Sequence, residues 1–232
     1  MKLELHTAGN GPRTALLIHG LIADHGTWHA VEAELVSRGY RVLAPDLRGH
    51  GHSERAVSYR LEEFAEDLVD TLPTGADVAI GHSLGGLALS LAVDRLRPRR
   101  VIYYDPAFVL PALPPGTREM MAELLTSPTA DSIGAYNPRW SEADIAAEVA
   151  SISLFDLAVA ASLTELAGRS FLPESAVVPS LVQLADPSFV VPAEAADELR
   201  RRGFDVVQVP GSGHCIHRDD LAGFFASLAG WL

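Results

Sequence analysis

Cysteine is nearly absent from this chain: of 232 residues, one is a cysteine, Cys215. A single thiol cannot close an intramolecular disulfide, so no disulfide framework holds the fold, and the usage suits a reducing compartment. Long apolar runs are missing too. The opening residues Met1-Lys2-Leu3-Glu4-Leu5-His6 lack the apolar stretch of a signal peptide. No window approaches the roughly 20 apolar residues that a membrane-spanning helix needs. A cytoplasmic chain outside the membrane is therefore expected. No block of like charge, internal repeat or low-complexity tract occurs. The formal net charge of −12 speaks against nucleic acid and anionic membrane surfaces as partners, since both repel an acidic surface. The H-x-x-x-H spacing with accompanying carboxylates that marks a helix-borne metal site is also missing, so neither a metal nor an organic cofactor is implied.

What is present is a core. Apolar residues make up 48% of the chain and charged ones 21%, and this length is one domain's worth on a single core. Short apolar runs bounded by turn residues predict strands at 3–7, 14–19, 41–44, 77–80, 101–104, 180–184 and 205–209. Helical spacing falls between them at 28–37, 61–72, 84–94, 193–202 and 221–232. This alternation predicts an α/β fold with a doubly wound, mostly parallel sheet. The rhythm breaks after Asp105, where Pro106, Pro111, Pro114 and Pro115 interrupt the chain. Helices are expected at 117–126, 141–153 and 156–167, with Ser141-Glu142-Ala143-Asp144 as a capping box and Gly168 as a stop. The division expected is a core of residues 1–105 and 176–232 and a helical lid of residues 106–175 inserted between two strands.

The segment that carries chemistry is Gly81-His82-Ser83-Leu84-Gly85-Gly86, directly after the apolar run Val78-Ala79-Ile80. A serine hydroxyl is a weak nucleophile near neutral pH and must be presented to a base without steric cover. A strained strand-to-helix turn presents it so, and glycines at the flanking positions leave room for the turn. The helix that follows aims its first N–H groups at the same spot, where an oxyanion would form. Three further segments lie at strand ends: His19-Gly20-Leu21; Asp46-Leu47-Arg48-Gly49-His50-Gly51-His52-Ser53; and Gly211-Ser212-Gly213-His214.

In this order, the H-G, D-x-R-G-H-G-x-S, G-H-S-x-G-G and late G-x-G-H motifs resemble the α/β-hydrolase family, serine-nucleophile branch, over nearly the whole chain. The resemblance implies Ser83 as nucleophile and His214 as base. It also implies an oxyanion hole from the backbone N–H groups of Leu84 and Leu21. His82, His50, His52 and His19 fall at positions that shape loops, and His217 reads as a support or surface residue. Asp46 and Arg48 read as braces of the loop at the site's floor, and Cys215 as packing. The triad acid stays open between two residues. Asp186 follows the strand where the family usually carries its acid, and is preferred, though the expected glycine is missing and the spacing is two residues short. Asp105 follows the strand after the elbow, where some members carry theirs. The three methionines and Phe108, Tyr136, Trp140, Phe155 and Phe171 are candidates for lining an apolar pocket or filling the lid's core.

The activity this implies is cleavage of a small-to-medium, mostly apolar carboxylic ester or lactone through an acyl-enzyme, by an esterase- or lactonase-like serine hydrolase. The expected partner is a small-molecule substrate, and the chain is expected as a monomer or homo-oligomer. The same triad also serves C–C bond hydrolases and thioesterases. Cofactor-free oxygenases or peroxidases and slow-hydrolysing ligand receptors use the fold as well.

Overall fold

A computed structural model describes residues 1–110 and 125–232. Seven strands form one sheet in the order β1-β3-β2-β4-β5-β6-β7. They are β1 (Leu5–Ala8), β2 (Arg13–Ile18), β3 (Tyr40–Pro45), β4 (Val78–His82), β5 (Val101–Tyr104), β6 (Ser180–Leu184) and β7 (Asp205–Gln208). Only β1 runs antiparallel, on β3; every other pairing is parallel. The central strands β4, β5 and β6 are buried along their whole length. This is why they read as continuous apolar runs rather than alternating ones: both faces of a parallel sheet are covered by helices.

The helices of the core are α1 (His29–Ser37), α2 (Leu61–Thr71) and α3 (Ser83–Leu96). Three more, α4 (Ala130–Tyr136), α5 (Glu142–Leu154) and α6 (Leu157–Thr164), lie between β5 and β6, and α7 (Ala193–Arg201), α8 (Ile216–Asp219) and α9 (Leu221–Ser227) complete the chain. Alternate residues of each strand feed two separate cores, as the two-residue period of a strand requires. Leu16, Ile18, Val101 and Tyr103 join Phe64 and Leu68 of α2 and Leu87 and Leu96 of α3 on one face. Leu17, Ile102 and Tyr104 join Trp28, Val31, Leu35 and Phe224 on the other.

Sheet positions match the expected ones to within one or two residues at most boundaries. The departures are local. Residues 25–28 wind as a 3-10 turn before α1, with Asp24 accepting from the Gly26 N–H at 2.8 Å. The last helix stops at Ser227, and Gly230 follows at φ +83°. Helix α5 starts from the expected cap: Ser141 Oγ accepts from Asp144 N–H, and Asp144 returns the bond to the Ser141 N–H. Helix α4 is not expected from the sequence, because Gly134 interrupts its pattern and its cap pairs Thr129 with Ser132 rather than with Glu or Gln. Of the helix expected over 117–126, residues 117–124 lie outside the described residues.

The sheet places the site. From β2 the chain goes to β3 on one side and then crosses to β4 on the other, so strand order reverses between β2 and β4. Ligands of open α/β sheets bind at such a reversal, off the carboxyl ends of the strands. Here those ends carry His19-Gly20-Leu21 and Ser83.

Candidate active site

Ser83 closes the turn from β4 into α3 at φ +50°, a left-handed backbone rarely adopted by residues other than glycine. The surrounding glycines are sterically required. A Cβ on Gly81 would stand 2.8 Å from the carbonyl oxygen of Gly85, and one on Gly85 would stand 2.3 Å from that of His19. Strand and helix therefore approach within backbone contact, and the serine is pushed to the apex.

The His19-Gly20-Leu21 turn lies against that apex. A Cβ on Gly20 would be 3.1 Å from Ser83 Cβ and 2.9 Å from His82 Nδ1. The Leu21 N–H makes no backbone hydrogen bond among the described residues, and the Leu84 N–H belongs to the first turn of α3, where helical geometry leaves donors free. Ile22 follows at φ +68°, a strained state for a β-branched residue, fixing the turn that carries Leu21.

His214 lies in the loop after β7, one quarter exposed. Its Nδ1 is 2.5 Å from Asp105 Oδ2, and Asp105 is fully buried. A carboxylate can only accept, so Nδ1 carries the proton and Nε2 presents its lone pair. The second oxygen of Asp105 accepts from the Ala185 N–H at 3.1 Å, and its backbone sits at φ +37°. Asp186, preferred as the acid from the sequence, is exposed and turned elsewhere. Its carboxylate accepts from the Gly211 N–H at 3.1 Å and from Gln208 Nε2 at 3.2 Å. The reason is strand order. Asp105 leaves β5, which lies next to β4 and Ser83, whereas Asp186 leaves β6, one strand farther out.

Three other histidines, His82, His217 and His50, are buried. The His82 ring stacks on Tyr104 at a ring separation of 4.3 Å and lies tilted against His214 at 4.6 Å, and burial holds its pKa well below the ordinary value. His217 is buried, not at the surface, and stacks on Trp28 at 5.0 Å. Its Nε2 donates to the Thr27 carbonyl at 3.1 Å, and its Nδ1 meets the Tyr104 hydroxyl at 3.0 Å; burial lowers its pKa to about 3. His50 is also buried, with its pKa lowered to about 3 chiefly by burial.

Asp46 accepts from the N–H and Nδ1 of His25 and from the His52 N–H. Burial opposes its ionisation, but these bonds outweigh it and hold the carboxyl at about 2. Arg48 grips Asp67 through Nε (2.6 Å) and Nη2 (2.9 Å) and the Ser58 carbonyl through Nη1 (2.9 Å). Both residues hold the loop, as expected. Among the described residues, no group of three or more His, Cys, Asp or Glu side chains is arranged to hold a metal ion, and no single helix is long and apolar enough to cross a membrane.

A cleft of about 420 Å³ touches Gly213 and His214, and Ser83, Leu21 and Leu84 are not among the residues that line it. Tyr136, Arg139, Trp140 and Glu148 from the insertion line it together with Cys215 and Asp219. Of the other aromatics weighed for a pocket, Phe108 and Phe155 are buried and Phe171 is partly so. Met120 and Met121 lie outside the described residues.

Comparison with known proteins bears on the family and the fold. Lipase LipV of Mycobacterium tuberculosis is 33% identical over 138 residues, 55% of this chain and 51% of that protein. The pimeloyl-[acyl-carrier protein] methyl ester esterase of Nitrosomonas europaea is 34% identical over 46% of this chain and 43% of that one. The chain thus spans about half the length, or less, of these curated relatives. Among solved structures, an N-formylmaleamic acid deformylase from Pseudomonas putida S16 superposes with a TM-score of 0.80 at 23% identity, over 98% of this chain and 96% of that one. A bromoperoxidase from Bacillus anthracis does so at 0.77 and 19%, over 97% and 93%. At these identities the likeness carries the fold alone. The model of the alpha/beta hydrolase family matches residues 15–227, and the chain belongs to that family.

Proposed function

We propose that this protein is a serine hydrolase that cleaves a small-to-medium, mostly apolar carboxylic ester or lactone, with Ser83, His214 and Asp105 as its triad. One observation carries the reading: the serine held at φ +50° on the elbow follows His82, whose ring lies 4.6 Å from that of His214, an imidazole whose Nδ1 is bonded at 2.5 Å to a fully buried aspartate. Ser83 Oγ attacks the carbonyl carbon while its proton passes to His214 Nε2. The N–H groups of Leu21 and Leu84 receive the oxyanion. His214 then protonates the departing alkoxide, and water, activated by the same imidazole, releases the acid from Ser83. Asp105 fixes the tautomer and stabilises the imidazolium.

The insertion serves as the lid in this reading, because Tyr136, Arg139 and Trp140 wall the cleft beside His214. The relatives named as lipase and esterase support ester chemistry, and a non-heme chloroperoxidase of Streptomyces lividans among the relatives keeps the peroxidase alternative in the assay panel. A fluorophosphonate probe tests the nucleophile. It should label Ser83, and Ser83→Ala should abolish labelling and lower turnover on an ester and lactone panel by about 10⁴–10⁶. A variant that keeps a tenth of the activity would remove Ser83 from the role.

A further inference from the structure

The loop that carries His214 is built from residues that do not hold a conformation by themselves: Gly211 at φ +69°, Ser212 and Gly213. On its inner side it is tied to the sheet end by the Ser212 carbonyl accepting from the Asp186 N–H at 2.9 Å. Besides Asp105 and Asp186, it meets a third carboxylate. Asp219 Oδ2 accepts from the Gly213 N–H, the peptide just before His214, at 2.6 Å. The fit is close, since a Cβ on Gly213 would fall 2.7 Å from that oxygen.

The rest of the accepting capacity of Asp219 goes to the insertion. Arg139 Nη2 donates to Oδ2 at 2.8 Å and Trp140 Nε1 donates to Oδ1 at 3.1 Å. Arg139 also reaches the loop directly, with Nη1 on the Gly211 carbonyl at 2.6 Å. Trp140 is held in turn: the Arg218 guanidinium lies 4.3 Å over its ring and is bonded to Glu148 at 2.7 Å. The Asp219 side chain is only 9% exposed, so its oxygens are satisfied by these three donors rather than by water.

We propose that Asp219 is a positioning residue for His214, and that Arg139 and Trp140 make its hold on the His214 loop depend on the insertion being seated. The proposal rests on the reading of Ser83 and His214 as nucleophile and base. Gly213 links the carboxylate to the base by a single peptide, so loosening that bond lets the imidazole drift from Ser83. Misplacement of a catalytic group by about 1 Å costs on the order of 10²-fold in rate. Asn at position 219 keeps the size and one acceptor, but presents an NH₂ where donors arrive.

The test compares wild type, Asp219→Asn, Asp219→Glu and Arg139→Ala by rate of Ser83 labelling with a fluorophosphonate, and by kcat and KM on p-nitrophenyl butyrate. Asp219→Asn should lower labelling rate and kcat together by about 10- to 100-fold, with KM within about threefold, and Asp219→Glu should recover part of the loss. Arg139→Ala, at an exposed position that leaves folding intact, should lower the labelling rate in the same direction. Combined with Asp219→Asn it should add little, since both act on one bond network. A merely structural Asp219 would lower the melting temperature but leave the labelling rate per folded molecule unchanged. Labelling within twofold of wild type in both Asp219→Asn and Arg139→Ala overturns the proposal. If wild type itself is not labelled, the nucleophile reading fails first and this proposal goes with it; if wild type is labelled, the variants decide this proposal alone.

Discussion

The chain contains two Asp-Pro dipeptides at the carboxyl ends of neighbouring strands, Asp105-Pro106 after β5 and Asp186-Pro187 after β6. Asp105 is fully buried and reaches His214 at 2.5 Å, while Asp186 is exposed and holds the Gly211 N–H. The difference lies in the neighbours. Register pairs Tyr104 with His82 across β5 and β4, so the residue after Tyr104 emerges beside the residue after His82, which is Ser83. Asp186 has no such adjacency; it emerges two residues beyond Leu184, next to β7. Both aspartates brace the same returning loop, one through its imidazole and the other through its backbone. Only a contact with the imidazole can set a tautomer.

The sharpest way to break this comparison is Asp105→Asn. An amide facing Nδ1 favours the tautomer that places the proton on Nε2, where the lone pair is needed, and in a serine triad this change costs about 10⁴ in kcat. Turnover on the best ester of a panel should fall by that order while Ser83 remains in place. Turnover within tenfold of wild type would mean that the imidazole is oriented by something other than Asp105.

The elbow was legible because it is local. Gly81, Ser83 and Gly85 stand within five residues, and the steric need for the two glycines follows from the turn itself. Strands β5 and β6 were legible to the residue, since buried parallel strands announce themselves as apolar runs bounded by turns. The partner of His214 was not legible. Two Asp-Pro turns of the same composition differ only in which strand lies alongside, and adjacency is a property of the sheet. The preference for Asp186 rests on the strand after which the family usually carries its acid, and the marks against it, the spacing and the missing glycine, concern the loop and not its distance from β4. The burial of His217 was hidden for the same reason: the Trp28 ring that stacks on it comes from 189 residues earlier in the chain. Helix α4 was missed because Ser132, rather than Glu or Gln, completes the cap of Thr129.

The buried side of the comparison should also be the acid-sensitive one. His217 lies against Tyr104, next to Asp105, and burial lowers its pKa from the ordinary 6.5 to about 3. A folded-state pKa below the unfolded one means that the unfolded chain takes up the proton first. Stability is therefore fully present above about pH 6.5 and is lost as pH falls toward 3, at about 1.4 kcal/mol per pH unit for each such imidazole. His50, also lowered to about 3, adds a like share. Denaturant melts at pH 7, 6 and 5 should give a falling stability. In His217→Gln, whose amide can still meet Thr27 and Tyr104, the slope should shrink by about 1.4 kcal/mol per unit. Equal slopes in the two proteins would mean that His217 is not held neutral.

The smallest effect belongs to the exposed aspartate. In Asp186→Asn the side-chain oxygen can still accept from Gly211 N–H, and the lost charge faces water, where it contributes little. Exposed substitutions of this kind stay within about 0.5 kcal/mol of stability, and the bond from Ser212 to the backbone of residue 186 is untouched. Turnover should stay within about threefold of wild type, and the melting temperature should be nearly unchanged. The same assay that registers about 10⁴ for Asp105→Asn thus has to register almost nothing here. A loss of several orders of magnitude in Asp186→Asn, with Asp105→Asn mild, would invert the comparison. His214 would then have to swing in solution from the buried end of β5 to the exposed end of β6, and the 2.5 Å contact would belong to a resting state rather than to the acting one.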